Sequence, residues 1–305
     1  MKRKIYIAAD GGGTKLELGA VGADGGLLGR VRAEGGINRK TSDEASIEKT
    51  VTAALTALEA AVGPFEPLGI AGYLMHNDGI FARLAACPVK EVDEGTLGLY
   101  AAGIYGDGVL ILSGTGADAY IIKDGGFHIV GGYGAILGDP GSGFAIGRAG
   151  INAAIACAEG RGGPTSLLRL LREKYPSDSL RGSVYGIYAS PQTARNVAAF
   201  CLQCETAADE GDEAARAIFT QAGHDLSSFA LAGMRLYDMP ADTPFTFAGG
   251  VLLHDLGRAE PLICGTLFSD LRAAGVTNFS PPDGTPLDGA VRWIERNLIG
   301  KSLRA

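Results

Sequence analysis

Two glycine turns limit the folds open to this chain more than any other feature, because each ends a short apolar strand and leads straight into another strand. Ile5-Tyr6-Ile7-Ala8-Ala9 runs into Asp10-Gly11-Gly12-Gly13-Thr14, and residues 16–21 continue as the next strand. Asp24-Gly25-Gly26 then has hairpin chemistry, and residues 27–32 alternate apolar and polar as a third strand. A helix follows, with Ile47, Val51, Leu55, Leu58 and Val62 at helical spacing. Thr41 and Glu44 have capping-box spacing at its start, and Gly63-Pro64 stops it.

The same order returns further along the chain. Val109-Leu110-Ile111-Leu112 ends in Ser113-Gly114-Thr115-Gly116, residues 119–122 and 127–130 read as strands around Asp124-Gly125-Gly126, and a helix begins near residue 144. Strand, glycine turn, strand, Asp-Gly-Gly turn, strand and helix therefore occur twice. This order predicts two related α/β halves; with little identity between the copies, two unrelated meanders are the alternative. Residues 165–237 are mostly helical, residues 244–248 form a further strand into Gly249-Gly250, and helical segments near 256–274 and 287–297 finish the chain. Domains of 1–110 and 111–305 fit this order, the second carrying a helical insertion and the last helix a candidate to pack back on the first domain.

A chain of 305 residues with 46% hydrophobic and 20% charged residues has the composition of a globular protein with sizeable cores. Its net charge of −7 argues against a nucleic-acid partner, which is usually met by a basic surface. The apolar run before Asp10 is shorter than a signal-peptide core, and no stretch has the length of a membrane span, so a cytoplasmic setting without membrane contact is expected. Five scattered cysteines suit reduced thiols. Cys201 and Cys204 form a CxxC, but within a helical pattern and without a second pair to complete a metal site.

Glycine is the unusual residue: 47 are present, clustered where the backbone must come close to something. Of the phosphate-binding designs, the GxxxxGK[ST] loop is absent. The GxGxxG fingerprint needs a helix after the turn, whereas here a strand follows. What remains is a β-hairpin whose glycine turn offers backbone amides to phosphate, one in each half.

That arrangement is the one used by actin, hexokinase and Hsp70-type ATPases, and the motifs resemble a particular branch of it. Asp10-Gly11-Gly12-Gly13-Thr14-Lys15 resembles the first phosphate motif of N-acetylglucosamine kinases and the BadF/BadG/BcrA/BcrD ATPase family. Ser113-Gly114-Thr115-Gly116 resembles the second, with Ala117 where a serine is usual. The glycine-rich segment 131–143 is similar to GGWGxxxGDEGS, with Tyr133 in place of Trp and Pro140 in place of Glu. Phe247-Ala248-Gly249-Gly250-Val251 matches the adenosine-side turn, and Asp288-Gly289-Ala290 resembles the motif before the last helix. The matches come in family order along nearly the whole chain.

The resemblance implies a two-domain actin-like ATPase (ribonuclease H-like) fold of the α/β class, with ATP and sugar in the interdomain cleft. It implies ATP held by Gly11, Gly12, Gly13, Thr14, Lys15, Gly114, Thr115, Gly116, Gly249 and Gly250, and Mg²⁺ near Asp10. Asp93, after a strand and before a small-residue helix, matches the catalytic base, with Val92 and Glu94 where Asn and Ala are usual. A helix N-cap is the other reading of Asp93, and Glu94 is the second candidate base. Asn38, Asp93, Gly132, Tyr133 and Asp139 match sugar-contacting positions; as turn residues, Asn38 and Asp139 would make only local bonds. The implied reaction is phosphorylation of an amino sugar at its 6-hydroxyl, with N-acetylglucosamine first and glucosamine or N-acetylmuramic acid next. A homodimer is the implied assembly. A sugar-independent ATPase and a non-catalytic sugar sensor are the competing classes.

Overall fold

The structure is a computed structural model that describes residues 2–13, 15–189 and 193–299. It divides into two compact units, residues 1–106 with 281–305, and residues 107–280.

The first unit is built on strands β1 (Arg3–Gly11), β2 (Lys15–Gly22), β3 (Leu27–Glu34), β4 (Phe65–Tyr73) and β5 (Val89–Glu91). Their order in the sheet is β3-β2-β1-β4-β5, with β1, β4 and β5 parallel and the β1–β2–β3 meander antiparallel. Strand alternation sends Ile5, Ile7 and Ala9 to one face, where they pack with Ile47, Val51 and Leu58 of α1 (Glu44–Val62). Ala8 points to the other face, into a cluster with Leu97 of α3 (Glu94–Ala101) and Leu287, Ala290 and Ile294 of α12 (Pro286–Ile294). Helix α2 (Asp78–Ala85) adds Ile80 and Phe81 to the α1 side. The sheet is thus covered by helices on both faces.

Three local expectations change. The N-cap of α1 is Asp43, whose carboxylate accepts from Ser46 N at 2.8 Å; the Thr41 hydroxyl instead donates to Asn38 O at 3.2 Å, in the preceding loop. Strand β4 is hidden in the sequence by Pro67, Gly69 and Gly72, which break an apolar alternation. The strand tolerates the proline because the β1–β4 register shifts there, Ile5 facing Pro67 and Tyr6 facing Gly69. Asp288-Gly289-Ala290 lies inside the first turn of α12 rather than before it, with Thr285 and Asp288 forming the capping box. Gly289 is where α12 meets α3 most closely: a β-carbon there would lie 2.0 Å from Leu97 O. After α12 the chain continues as a π-helical turn, Glu295–Ile299.

The second unit repeats the plan. Strands β6 (Gly108–Ser113), β7 (Ala117–Lys123), β8 (Gly126–Gly131) and β9 (Phe245–Ala248) lie in the order β8-β7-β6-β9, with β9 parallel to β6. The first four strands of the other sheet have the same order and polarity, so the repeat read from the sequence is a repeat of topology. Between β8 and β9 come α4 (Gly143–Ala158), α5 (Leu167–Lys174), α6 (Leu180–Tyr188), α7 (Thr193–Ala198), α8 (Cys201–Asp209) and α9 (Glu213–Leu236). Leu226, Ala230 and Met234 of α9 share a core with Val109, Ile111 and Ile121 of the sheet. The helical segment expected near 256–274 starts later, as α11 (Cys264–Ala273), and a separate helix, α10 (Gly250–Leu256), precedes it. Asp255 makes the break possible: its carboxylate accepts from Leu262, Ile263 and Cys264 N at 2.7, 2.9 and 2.8 Å, satisfying amides at the start of α11.

Candidate active site

In each unit the candidate residues leave the sheet from one edge. Strands β1, β3, β4 and β5 all run the same way, so the loops after them emerge together at their carboxyl ends. That edge carries Asp10 at the end of β1, Asn38 after β3 and Asp93 after β5. The carboxyl edge of parallel strands is where open α/β sheets hold ligands. Strands β1 and β5, which lead to Asp10 and Asp93, lie two strand spacings apart in the sheet, about 10 Å laterally.

The first glycine turn is closed by Gly12 N donating to Lys15 O at 2.9 Å, and Gly12 O accepts from Ile37 N at 3.0 Å. Gly11 is buried against Ile37, but Gly13 is exposed and a β-carbon there would meet nothing within 4 Å. No packing inside the protein explains a glycine at 13. Thr14 lies outside the described residues. Asn38 Oδ1 accepts from Lys40 N at 2.9 Å, the local turn bond of an Asx motif. Asp93 caps α3, accepting from Thr96 N at 2.6 Å on Oδ1 and from the Thr96 hydroxyl at 2.8 Å on Oδ2. The capping reading of Asp93 is therefore realised, and it leaves each oxygen a further lone pair.

In the second unit three separately read glycine segments converge. Gly114 N donates to Gly116 O at 2.9 Å, closing the β6–β7 turn, and Gly114 O accepts from Gly143 N at 2.8 Å. Ser113 Oγ donates to Gly141 O at 2.8 Å. Gly249, at φ 89°, lies so close that a β-carbon would be 2.2 Å from Ser113 O. Asp139 is 6% exposed and at φ 56°, an uncommon conformation for a residue with a side chain. Its Oδ1 accepts from Gly134 N at 3.0 Å, and its Oδ2 would be 2.8 Å from a β-carbon on Gly116. Gly132 follows β8 at φ 73°. Tyr133 is 79% exposed and rests on no core of its own unit.

Beside Gly114, Thr115 and Gly250 opens a cavity of about 350 Å³, its wall formed by Cys201, Leu202 and Glu205 of α8 and by α10. The Glu205 carboxylate meets His254 Nε2 at 2.8 Å and also pairs with Arg258. This volume and mostly apolar wall suit a nucleobase. Burial and the neighbouring Glu205 and Asp255 push the Cys201 thiol up to about 12, and burial also pushes Cys204 up, so neither is a reactive thiolate at neutral pH.

The model of the BadF/BadG/BcrA/BcrD ATPase family matches residues 9–259, from the first glycine turn past the last one. The chain belongs to this family. An N-acetylmuramic acid/N-acetylglucosamine kinase from Clostridium acetobutylicum is 30% identical over 148 residues, 48% of each chain, so the match spans about half the length of that curated relative. Among solved structures, a candidate N-acetylglucosamine kinase from Chromobacterium violaceum aligns with a TM-score of 0.73 at 22% identity, covering 95% of this chain and 98% of the other. A ROK family glucokinase from Streptomyces griseus, in complex with glucose and AMPPNP, aligns with a TM-score of 0.57 at 17% identity over 94% and 97% of the chains. The α/β architecture with two mixed sheets is that of the actin-like ATPases.

Membership of an ATPase family raises the question of Mg²⁺. Among the described residues no group of three or more His, Cys, Asp or Glu side chains could enclose a metal. Mg²⁺ bound with nucleotide needs less, one or two carboxylates with water and phosphate oxygens. Asp10 fits that mode. Burial pushes its carboxyl above the ordinary value, against the opposing pull of Lys15, whose Nζ lies 3.6 Å away and also pairs with Glu17. A buried carboxylate with incomplete compensation is the hard oxygen donor that a divalent cation would stabilise.

A stability consequence follows. Because the folded value is raised, the native state binds the proton more tightly than the unfolded chain, and stability falls as pH rises from the ordinary carboxylate range through the raised value. At neutral pH ionised Asp10 therefore costs the nucleotide-free protein stability. Asp10→Asn is expected to raise Tm at neutral pH, to lose that advantage in acid where both residues are uncharged, and to lower ATP turnover by about 10–100-fold. Thermal melts across pH, paired with turnover assays, check both signs.

Two residues with tight roles at this edge give no signal in the sequence. Asn77, 1% exposed, and Glu91, whose Oε1 accepts from Leu74 N at 3.0 Å, hold the loop after β4. Their key partners, Ile37 O and Arg39 Nε for Asn77 and Leu74 N for Glu91, lie 17 to 40 positions away, which no local spacing encodes. Among the described residues no helix is long and apolar enough to cross a membrane.

Proposed function

We propose that this protein is an ATP-dependent sugar kinase that transfers the γ-phosphoryl group to the 6-hydroxyl of an amino sugar, with N-acetylglucosamine the leading substrate. The observation that carries the reading is the pairing of two glycine hairpins, one per repeated sheet, with a half-buried aspartate at the same carboxyl edge as the first of them.

The exposed amide of Gly13 in one turn, and those of Thr115 and Gly116 in the other, supply phosphate contacts, while the Gly12 amide closes the first turn on Lys15 O and Lys15 adds a positive charge. Mg²⁺ held at Asp10 would neutralise charge on the phosphates. The adenine sits in the cavity beside Gly249-Gly250. Asp93 accepts the proton of the sugar hydroxyl as its oxygen bonds to the γ-phosphorus and the bond from that phosphorus to the β,γ-bridging oxygen breaks, releasing ADP, with Thr96 fixing the carboxylate's direction. Asn38 and the 132–139 segment orient the sugar, Asp139 through the backbone of Gly134 and through its own carboxylate. The relative's printed activity, on N-acetylmuramic acid and N-acetylglucosamine, supports an amino sugar, and N-acetylmuramic acid and glucosamine are the next candidates. A cytoplasmic homodimer completes the reading. The dehydratase-activating type of ATPase in this family is disfavoured because Cys201 and Cys204 lie within helix α8, with no further cysteine gathered beside them into a ligand group among the described residues.

The test is product analysis. Incubation with ATP, Mg²⁺ and N-acetylglucosamine is expected to yield one phosphomonoester whose phosphorus couples to the sugar's 6-methylene protons in ³¹P–¹H NMR. Coupling to the anomeric proton, or inorganic phosphate as the sole product, would contradict the assignment.

A further inference from the structure

We propose that Asn77 is a positioning residue that sets the Asn38 loop in register with the first glycine turn and with the segment leading to Asp93. The inference rests on the kinase reading.

Asn77 sits at the start of α2, where an asparagine ordinarily caps the helix with its side chain. Here the side chain makes no such bond. Its Nδ2 instead reaches Ile37 O at 2.8 Å, Leu74 O at 2.9 Å and Met75 O at 3.1 Å, and its Oδ1 accepts from Arg39 Nε at 2.8 Å. The two residues before it, Met75 and His76, have φ of 51° and 61°, a left-handed pair that turns the chain so that the Asn77 side chain faces inward. Such strain persists where the surroundings over-determine it, and it gathers at functional sites.

The contacts form one continuous path through the candidate site. Ile37 donates its N–H to Gly12 O in the glycine turn and gives its carbonyl to Asn77, so the residue before Asn38 is held from both sides. Leu74 gives its carbonyl to Asn77 and its N–H to Glu91 at 3.0 Å. Val92 N, next to Asp93, donates to Gly72 O at 2.8 Å. The three loops that carry Gly12, Asn38 and Asp93 are thus tied through the loop after β4, with Asn77 the side chain common to the Asn38 and Leu74 links. A buried amide with all of these partners is replaced by no other residue without leaving carbonyls unpaired.

The role predicts a split between substrates. In Asn77→Ala the KM for the sugar should rise by about 10-fold or more with kcat reduced, while the dissociation constant for ATP is unchanged, since loss of a supporting partner costs about 10–100-fold at the group it orients. Hydrogen exchange over residues 35–42 should accelerate while the buried amides of α1 keep their protection. Arg39→Ala, which removes the Oδ1 partner and an exposed ion pair with Glu44, should give the same split at smaller size and covers the case in which Asn77→Ala folds poorly. Equal changes for sugar and ATP, or unaltered exchange at 35–42, would overturn the inference. Absence of any sugar-dependent turnover in the unmodified protein would instead sink the kinase reading, with the exchange measurement still deciding what Asn77 holds.

Discussion

Asp93→Asn is expected to lower sugar-dependent turnover by at least about 10²-fold, the low end for removal of a general base, while leaving the fold intact. In the proposed mechanism Asp93 is both cap and base, and this substitution separates the two roles. As an N-cap, asparagine is about as good as aspartate: its carbonyl oxygen accepts from Thr96 N as Oδ1 does now at 2.6 Å, and its amide faces a hydroxyl that can accept. As a base, the amide is useless, having no lone pair basic enough to take the sugar's proton. Turnover should collapse with Tm nearly constant. Asp93→Ala would lose both jobs, adding about 1 kcal/mol of capping stability to the catalytic loss. Retained activity in Asp93→Asn would reduce Asp93 to a cap and move the search to Glu94.

The second large effect contrasts two glycines that look alike in the sequence. Gly249→Ala should destabilise the protein and abolish turnover, because the residue is at φ 89° and its new β-carbon would lie 2.2 Å from Ser113 O and 2.9 Å from Gly114 N. Left-handed strain of about 1–3 kcal/mol and overpacking of about 1–3 kcal/mol act together there. For a chain of this size that amounts to a fall in Tm of roughly 5–15 °C. Gly13→Ala should leave Tm unchanged, since a β-carbon meets nothing within 4 Å and the backbone is not left-handed. Its effect should fall on ATP alone, as a rise in KM of about 10-fold, the size expected when a charge-assisted phosphate contact is lost. Differential scanning fluorimetry with and without ATP separates the two. A Gly13→Ala protein with unaltered ATP affinity would remove the first turn from the phosphates.

The hairpins are legible in the amino-acid sequence because their signals are local: an apolar strand, a glycine turn, a second strand, an Asp-Gly-Gly turn. Their recurrence exposes the repeat, and topology then gives Asn38 and the 132–139 segment equivalent places, since each follows the third strand of its sheet. What escapes the sequence is non-local. Strand β4 carries a proline that is acceptable only because its neighbour's register shifts opposite it. The break between α10 and α11 depends on Asp255 reaching amides seven to nine positions away. The cap of α1 is Asp43 rather than Thr41 because the Thr41 hydroxyl is used by Asn38 O. Asn77 gives no signal at all, since the partners that set its role, Ile37 O and Arg39 Nε, come from another loop. The roles of Asp139 and Tyr133 are read from motif position, with geometry adding the link from Asp139 to Gly134 and Gly116.

The central claim is that ATP is cleaved because a sugar hydroxyl is there to receive the phosphoryl group. ADP release measured with saturating ATP and Mg²⁺, with and without N-acetylglucosamine and its glucosamine and N-acetylmuramic acid counterparts, tests this directly. The account predicts release that depends on added amino sugar and is matched mole for mole by sugar phosphate. Release at the same rate without any sugar would contradict it and leave an ATPase whose acceptor is water.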